Sequence, residues 1–117
     1  MPQRKLAKGI TDQMIQWYQS YLGQNLTEVK TDIIRDMIIV NVKGELPRAE
    51  SHLSREKEGM FLIKNVRQQL IECGLESLDN TFFDLTDSRI VTLHTDVSTK
   101  TGERIFVFKM DRSLEQL

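Results

Sequence analysis

Apolar residues recur every three or four positions near the start of the chain, and this spacing predicts an amphipathic helix over Lys5–Leu22 that stops at Gly23. The same spacing predicts a second helix over Met60–Cys73, which ends at Gly74. Its apolar stripe consists of Met60, Ile63, Val66, Leu70 and Cys73. A glycine inside a helix lowers the stability of the helix by about 1 kcal/mol relative to alanine, so a break or a bend of the helix at Gly59 is one of the alternatives.

Strand patterns occur in two pairs. Apolar and polar residues alternate over Leu26–Ile34, which predicts a half-buried strand, and Arg35-Asp36 forms the turn after it. The run Met37–Val42 is apolar on both faces, so we expect it to be the more central strand of this hairpin. A polar, hydroxyl-rich loop joins Arg89–Asp96 to Arg104–Met110, and this arrangement predicts a second hairpin.

Shorter helical patterns lie between the two hairpins. Pro47 suits the first turn of a polar helix over Arg48–Ser54, and another short helix is indicated from Leu75 to Leu85. We expect the end of the chain, Ser113–Leu117, to be a frayed tail. The order α-β-β-α-α-β-β predicts an α+β fold, a four-stranded, mainly antiparallel sheet with the helices packed on one face. The 117 residues suit a single domain over residues 1–117.

The last two strands are apolar on both sides. The larger side chains Val91, Leu93, Phe106 and Phe108 share the face on which we expect the helices Lys5–Leu22 and Met60–Cys73 to pack. The opposite face carries Asn41, Ile90, Thr92, His94, Ile105 and Val107. This face is too apolar for bare solvent and too polar for an ordinary core, so a subunit interface or a ligand cleft would satisfy it. We therefore expect a homo-oligomer, most simply a dimer.

Composition removes several classes of function. With 39% hydrophobic and 28% charged residues the chain is not disordered, and its net charge of -1 gives no global field for nucleic acid or an anionic membrane. No apolar run reaches the roughly 20 residues of a membrane span, so no direct membrane insertion is expected. The basic start Met1–Lys8 lacks the apolar core of a signal peptide, which favours a cytoplasmic location. The single Cys73 excludes an internal disulfide, and we expect it to be a buried, inert thiol.

Candidate chemistry concentrates in the second hairpin. His94 and Asp96 project from one strand face, and Arg104 stands near them at the end of the partner strand, where it can pair with Asp96 or share an anion with His94. The alternative is structural, a rigid turn built by Asp96, Thr99 and Gly102. The candidate ligand- or partner-binding residues are His94, Asp96, Ser98, Thr99, Lys100, Thr101, Gly102 and Arg104. We expect no metal site and no cofactor, because His52 is the second of only two histidines and no nucleotide-binding or hydrolase motif occurs.

Several strings resemble one bacterial family. The most specific is Leu93-His94-Thr95-Asp96-Val97-Ser98-Thr99-Lys100-Thr101-Gly102-Glu103-Arg104; others are Trp17-Tyr18, Tyr21-Leu22-Gly23, Asp36-Met37-Ile38-Ile39-Val40 and Leu46-Pro47-Arg48-Ala49-Glu50. They are similar to the MpsC-like domain, which is related to YbcI-type proteins and named for a sodium-translocating membrane-potential-generating system. Family members often carry Thr where Pro47 stands here, so a side-chain cap of the following helix is lost.

The resemblance implies a soluble, non-catalytic binding, regulatory or accessory module of a sodium- or bicarbonate-linked membrane system, with a protein of that system as a partner. The alternative is a small enzyme or small-anion sensor that uses His94, Asp96 and Arg104. Fold-level analogy does not decide between these two functions.

Overall fold

An antiparallel sheet of four strands, with helices on one side of it, forms the part of the chain that the computed structural model describes, residues 3–45, 47–98 and 101–115. The helices are α1 (Gln3–Trp17), which continues as a π-helical turn (Tyr18–Leu22), α2 (Arg48–Leu53), α3 (Lys57–Cys73) and α4 (Leu75–Thr86). The strands are β1 (Glu28–Ile34), β2 (Met37–Lys43), β3 (Ile90–Val97) and β4 (Glu103–Met110). The α+β class and the two hairpins are therefore confirmed.

The strand order β1-β2-β4-β3 places β2 and β4 in the centre of the sheet. All three pairings are antiparallel, with Val40 opposite Phe106 and Val29 opposite Val42. The prediction that Met37–Val42 is the more central strand of its hairpin is confirmed. Helices cover the face of β2 that carries Ile38, Val40 and Val42, whereas its other apolar face, with Met37 and Ile39, has no helix over it in the described part of the chain.

The core lies between the sheet and two helices, α1 and α4. Phe106 and Phe108 are fully buried, and the rings of Tyr18 and Phe82 meet them edge to face. The helix predicted over Met60–Cys73 does lie on this side of the sheet and contributes Ile71 to the core, but the ring that meets Phe108 comes from α4, and α3 packs mainly beside α2 and α4. The buried stripe of α4 includes a large aromatic side chain, which fills the space above the sheet.

The apolar stripe predicted for Met60–Cys73 is rotated in the structure. The buried positions of α3 are Ile63, Arg67 and Ile71, whereas Val66 and Leu70 are 45% and 40% exposed. Cys73 is also exposed, so the prediction of a buried thiol is wrong. The buried positions are spaced four residues apart, and one of them is an arginine. A search for apolar residues at helical spacing does not include an arginine, so it selects a different face of the helix.

A bulge in β3 changes which side chains face the helices. The register shifts between Ile90 and Thr92, so Ile90 pairs with Met110 and packs against the core while Val91 is 59% exposed. The predicted faces of Ile90 and Val91 are therefore wrong. One extra residue in a bulged strand reverses the alternation on one side of it.

The residues after β4 are docked rather than frayed as far as Glu115. Leu114 is fully buried, and its backbone N–H donates to the carbonyl of Arg35 at 2.8 Å. The predicted frayed tail is wrong for residues 113–115, and Gln116 and Leu117 lie outside the described residues. A single leucine anchored in the core is enough to hold the segment against the first hairpin.

The helical structure is interrupted at residues 54–56, between α2 and α3. Gly59 itself lies inside α3. A Cβ atom at Gly59 would clash with the backbone carbonyl of Leu53, so the glycine allows the two helices to approach closely.

We expect Gly59→Ala to lower the free energy of unfolding by about 2 kcal/mol, measured by urea denaturation. Gly9→Ala in α1 is the matched control, because its Cβ would meet Leu85 at an ordinary 3.4 Å and should stabilise by about 0.5–1 kcal/mol. A stabilising Gly59→Ala would contradict the close approach.

Candidate functional site

A partly enclosed cavity of about 290 Å³ lies between α3 and the end of the sheet where β2 stops and β4 begins. Its lining combines apolar side chains with buried polar groups. The lining residues are Tyr18, Gln24, Leu26, Val42, Gly44, Ser54, Met60, Ile63, Lys64, Arg67, Val97, Ser98, Gly102 and Arg104. A mostly apolar concavity with a few converging polar groups is the usual form of a small-molecule site.

Arg104 is the first charged group of this cavity. It pairs with Val97 in the sheet and therefore projects to the side of the helices, where its side chain is 6% exposed. Its Nη1 donates to the Thr95 hydroxyl at 3.1 Å, and within the described residues no carboxylate lies within ion-pair distance. Burial lowers the pKa of Arg104 from its usual value, but an arginine keeps its charge in a protein. The guanidinium is therefore a buried cation with no ion pair among the described residues, and the charge of Asp96 acts on it only from beyond ion-pair distance.

Tyr18 adds a neutral hydrogen-bond donor beside this cation. The π-helical turn that begins at Tyr18 lets its ring pack against Phe106 while its hydroxyl lines the cavity, and the side chain is 3% exposed. Burial raises the pKa of Tyr18 to about 12, although the charges of Arg104 and Arg67 act in the opposite direction. The hydroxyl keeps its proton at neutral pH, and within the described part of the chain it makes no hydrogen bond. It is free to donate to a ligand.

Arg67 is a second buried cation with a different environment. Its Nη2 and Nε donate to the two carboxylate oxygens of Glu50 at 2.7 and 3.3 Å, and its Nη1 donates to the side-chain carbonyl of Gln24. Gln24 in turn donates to the carbonyl of Glu45 at 3.1 Å. Such a bidentate pair fixes the guanidinium in place. Arg67 therefore ties α2 and the residues before β1 to α3, and it adds positive potential to the cavity wall.

The site is suited to a small anion with an apolar part. A carboxylate placed between Arg104 and Tyr18 would accept charge-assisted hydrogen bonds, which are the strong ones in a buried setting. The side chains of Leu26, Val42 and Ile63 offer a wall for a hydrocarbon portion. Lys64 stands at the more exposed side, 39% exposed, with its Nζ 4.0 Å from Asp96. A cation at the entrance attracts an anion toward the cavity.

The residues predicted for the site do not all meet. Ser98, Gly102 and Arg104 line the cavity, and Asp96 lies beside it near Lys64 with its side chain 83% exposed. His94 pairs with Val107 and lies exposed on the opposite face of the sheet. The structure therefore does not bring His94 to Arg104, because Arg104 pairs with Val97, three positions from His94, and side chains an odd number of positions apart along a strand point to opposite faces.

The hairpin loop itself is built as a turn. Gly102 has φ 77°, its N–H donates to the carbonyl of Ser98 at 2.8 Å, and the Ser98 N–H donates to Glu103 at 2.8 Å. Thr101 is exposed, and its backbone N–H donates to the Ser98 hydroxyl at 3.3 Å. Thr99 and Lys100 lie outside the described residues. The described part of the loop thus forms a turn, and it also forms one edge of the cavity.

Sequence reasoning missed five polar residues of the site, Tyr18, Gln24, Ser54, Lys64 and Arg67. Arg67 left a signal, because it stands four residues from both Ile63 and Ile71 on one face of α3, and a charged residue on a buried line calls for a partner. The sequence around Gln24 carries no comparable signal.

In residues 3–45, 47–98 and 101–115 no group of three or more His, Cys, Asp and Glu side chains is placed to hold a metal ion. Within the same ranges no helix has the length and hydropathy needed to span a membrane.

The comparisons with known proteins agree on one family. Residues 2–112 match the model of a family described as "Na+-translocating membrane potential-generating system (MpsC)". A relative from Bacillus subtilis (strain 168), described as "Uncharacterized protein YbcI", is 46% identical over 112 residues, which cover 96% of this chain and 87% of the relative. No solved structure matches the chain at a significant level.

Proposed function

This chain belongs to the MpsC family, and we propose that it is a non-catalytic module that binds a small organic anion in the cavity between Arg104 and Tyr18. The single observation that carries the proposal is Arg104, a cation buried to 6% exposure that lines a cavity and has no acidic partner among the described residues. A buried charge without an ion pair is unfavourable in the folded protein, and an anionic ligand in the cavity would relieve this cost.

The ligand class follows from the lining. Arg104 and Tyr18 are both donors, which selects an acceptor-only group such as a carboxylate over an amine or an alcohol. The apolar wall favours a short hydrocarbon portion over a bare inorganic ion. Among the described lining residues, Tyr18 keeps its proton up to about pH 12, so near neutral pH it serves as a hydrogen-bond donor and not as a base. Binding without chemistry is therefore the function that this site supports best.

The family description supports a biological setting for this proposal. In this proposal the chain is an accessory, regulatory part of a membrane-potential-generating system, acts on the cytoplasmic side, and changes its interaction with a protein of that system when the anion binds. Ligand binding to the folded state raises its stability by mass action, so occupancy of the cavity has a direct physical readout.

A thermal-unfolding panel tests the binding. We expect butyrate and hexanoate to raise the melting temperature, because at a hundred times the dissociation constant a ligand adds about 2.7 kcal/mol to the stability. The corresponding amides, butyramide and hexanamide, keep the shape but lack the charge and should give no rise. Phosphate and bicarbonate are included to separate a bare anion from an organic one. A rise with the amides equal to that with the carboxylates, or no rise with any anion, would contradict the proposal.

A further inference from the structure

The face of the sheet opposite the helices, here called the outer face, is not covered by any helix in the described part of the chain. Its apolar side chains are Ile34, at the end of edge strand β1, and Met37, Ile39, Ile105 and Val107, on the two central strands. Ile34 and Ile105 are 42% and 45% exposed. An apolar group of this kind within a charged rim is typical of a protein-protein contact.

The register of the sheet fixes how charges are arranged around this group. In one row across the outer face, Lys30 on edge strand β1 is aligned with Asp96 on edge strand β3. In the next row Asp32 on β1 is aligned with His94 on β3. Each row thus ends in an acid on one edge and a basic residue on the other.

Two of the four outer-face pairs of the central strands are also complementary. Lys43 on β2 pairs with Glu103 on β4, and Ile39 on β2 is aligned with Val107 on β4. The middle of the sheet lies between β2 and β4, because the order is β1-β2-β4-β3. These two pairs therefore match across the midline, whereas the other two outer-face pairs of the central strands, Asn41 with Ile105 and Met37 with Lys109, join a polar residue to an apolar one.

This arrangement is self-complementary for one symmetry. If a second copy faces the sheet across a two-fold axis that runs parallel to the strands along the midline, β1 lies over the partner's β3 and β2 over the partner's β4. Lys30 then meets Asp96 of the second copy, Asp32 meets its His94, and Lys43 meets its Glu103. Two-fold contacts require this reciprocal pairing of one surface with itself.

We propose that the outer face is the contact surface of a symmetric homodimer, in which two sheets pack face to face with these charge pairs at the rim and Ile39 and Val107 at the centre. Face-to-face sheets pack about 10 Å apart with strands within about 30° of alignment, which keeps the central rows opposed. The existing ion pairs of the rim, Lys30 with Glu28 and Asp96 with Lys64, are solvent-exposed and weak, so both residues can turn to a partner.

The size of the face sets the expected affinity. Strands of seven residues at about 3.3 Å per residue, spaced about 4.8 Å apart, give a face of about 23 by 19 Å. Such a face is at the small end of stable protein contacts. We therefore expect a reversible dimer with a dissociation constant in the micromolar range.

Charge reversal tests the symmetry directly, by sedimentation velocity of the full chain. Lys30→Glu and Asp96→Lys should each weaken the homodimer about tenfold, because each variant places like charges opposite each other twice. An equimolar mixture of the two variants should dimerise with wild-type affinity, since both contacts of the mixed dimer join opposite charges. Lys8→Glu is the matched control, because Lys8 has a similarly exposed ion pair with Asp12 but lies on α1, and it should leave the dimer unchanged.

A second pair of variants tests the apolar centre. Ile105→Lys should abolish the dimer at micromolar concentration, whereas Phe61→Lys, which changes an apolar residue 60% exposed on α3, should leave it intact. Circular dichroism shows whether each variant is folded. A wild-type protein that stays monomeric, a mixture of charge variants that does not recover, or a dimer that dissociates with Phe61→Lys and persists with Ile105→Lys would each overturn the proposal.

Discussion

Arg104→Met is expected to abolish carboxylate binding while leaving the protein folded and at least as stable as the wild type. Arg104 forms no ion pair with the described residues, so the substitution removes a buried, unpaired charge and replaces it with an apolar side chain of similar length. We expect the affinity for hexanoate to fall at least about thirtyfold, as a lost charge-assisted contact of about 2 kcal/mol requires. The free energy of unfolding should stay within about 1 kcal/mol of the wild-type value, or rise. Isothermal titration calorimetry and urea denaturation measure the two quantities.

Arg4→Met is the matched control for this prediction. Arg4 is exposed in the first turn of α1, far from the cavity lining, so its loss should change neither affinity nor stability. If Arg104→Met unfolds at markedly lower urea and binds hexanoate normally when folded, then Arg104 has a structural role and the cavity is not the anion site.

Arg67→Met is expected to have the largest effect on stability of any substitution in the cavity. It leaves the Glu50 carboxylate and the Gln24 side chain without their partner, and the side chain of Glu50 is only 27% exposed. Breaking a buried ion pair by removing one member costs about 3 kcal/mol. Urea denaturation should therefore show a midpoint well below that of the wild type.

The double variant Arg67→Met with Glu50→Met separates the cause of this loss. If the unpaired carboxylate dominates, the double variant should recover a large part of the stability, because an apolar pair replaces both charges. A double variant no more stable than Arg67→Met alone, or an Arg67→Met protein as stable as the wild type, would contradict the structural role given to this ion pair.

The long periodic patterns of the sequence predicted the elements well, and the reason is that each of them records continuous burial. The alternation of Phe106 and Phe108 and the helical spacing of Leu6, Ile10 and Met14 correspond to side chains that are fully buried. The same alternation correctly predicts the position of Arg104, because a residue two positions before Phe106 lies on the face covered by the helices. The prediction that Arg104 lies near His94 was based on the closeness of the two strand ends and did not take this alternation of faces into account.

The remaining features depend on contacts between distant parts of the chain. The ion pair of Arg67 and Glu50 forms because α2 packs on α3, and the bond from Arg67 to Gln24 joins residues 43 positions apart. The bulge at Val91 and the packing of Leu114 against the first hairpin are local irregularities, and a periodic pattern of apolar residues does not predict them. Polar residues in such contacts carry little sequence signal because their neighbours come from elsewhere in the fold.

The most direct measurement of anion binding is the NMR signal of the Arg104 Nε–H group, assigned by its loss in Arg104→Met and followed while hexanoate is added to the wild-type protein. Because the buried guanidinium faces the cavity, we expect a large, saturable shift of this signal, a smaller one for Arg67, and none for either with hexanamide. An Arg104 signal that does not move while hexanoate perturbs other residues, or that moves equally with hexanamide, would contradict an anion site at Arg104.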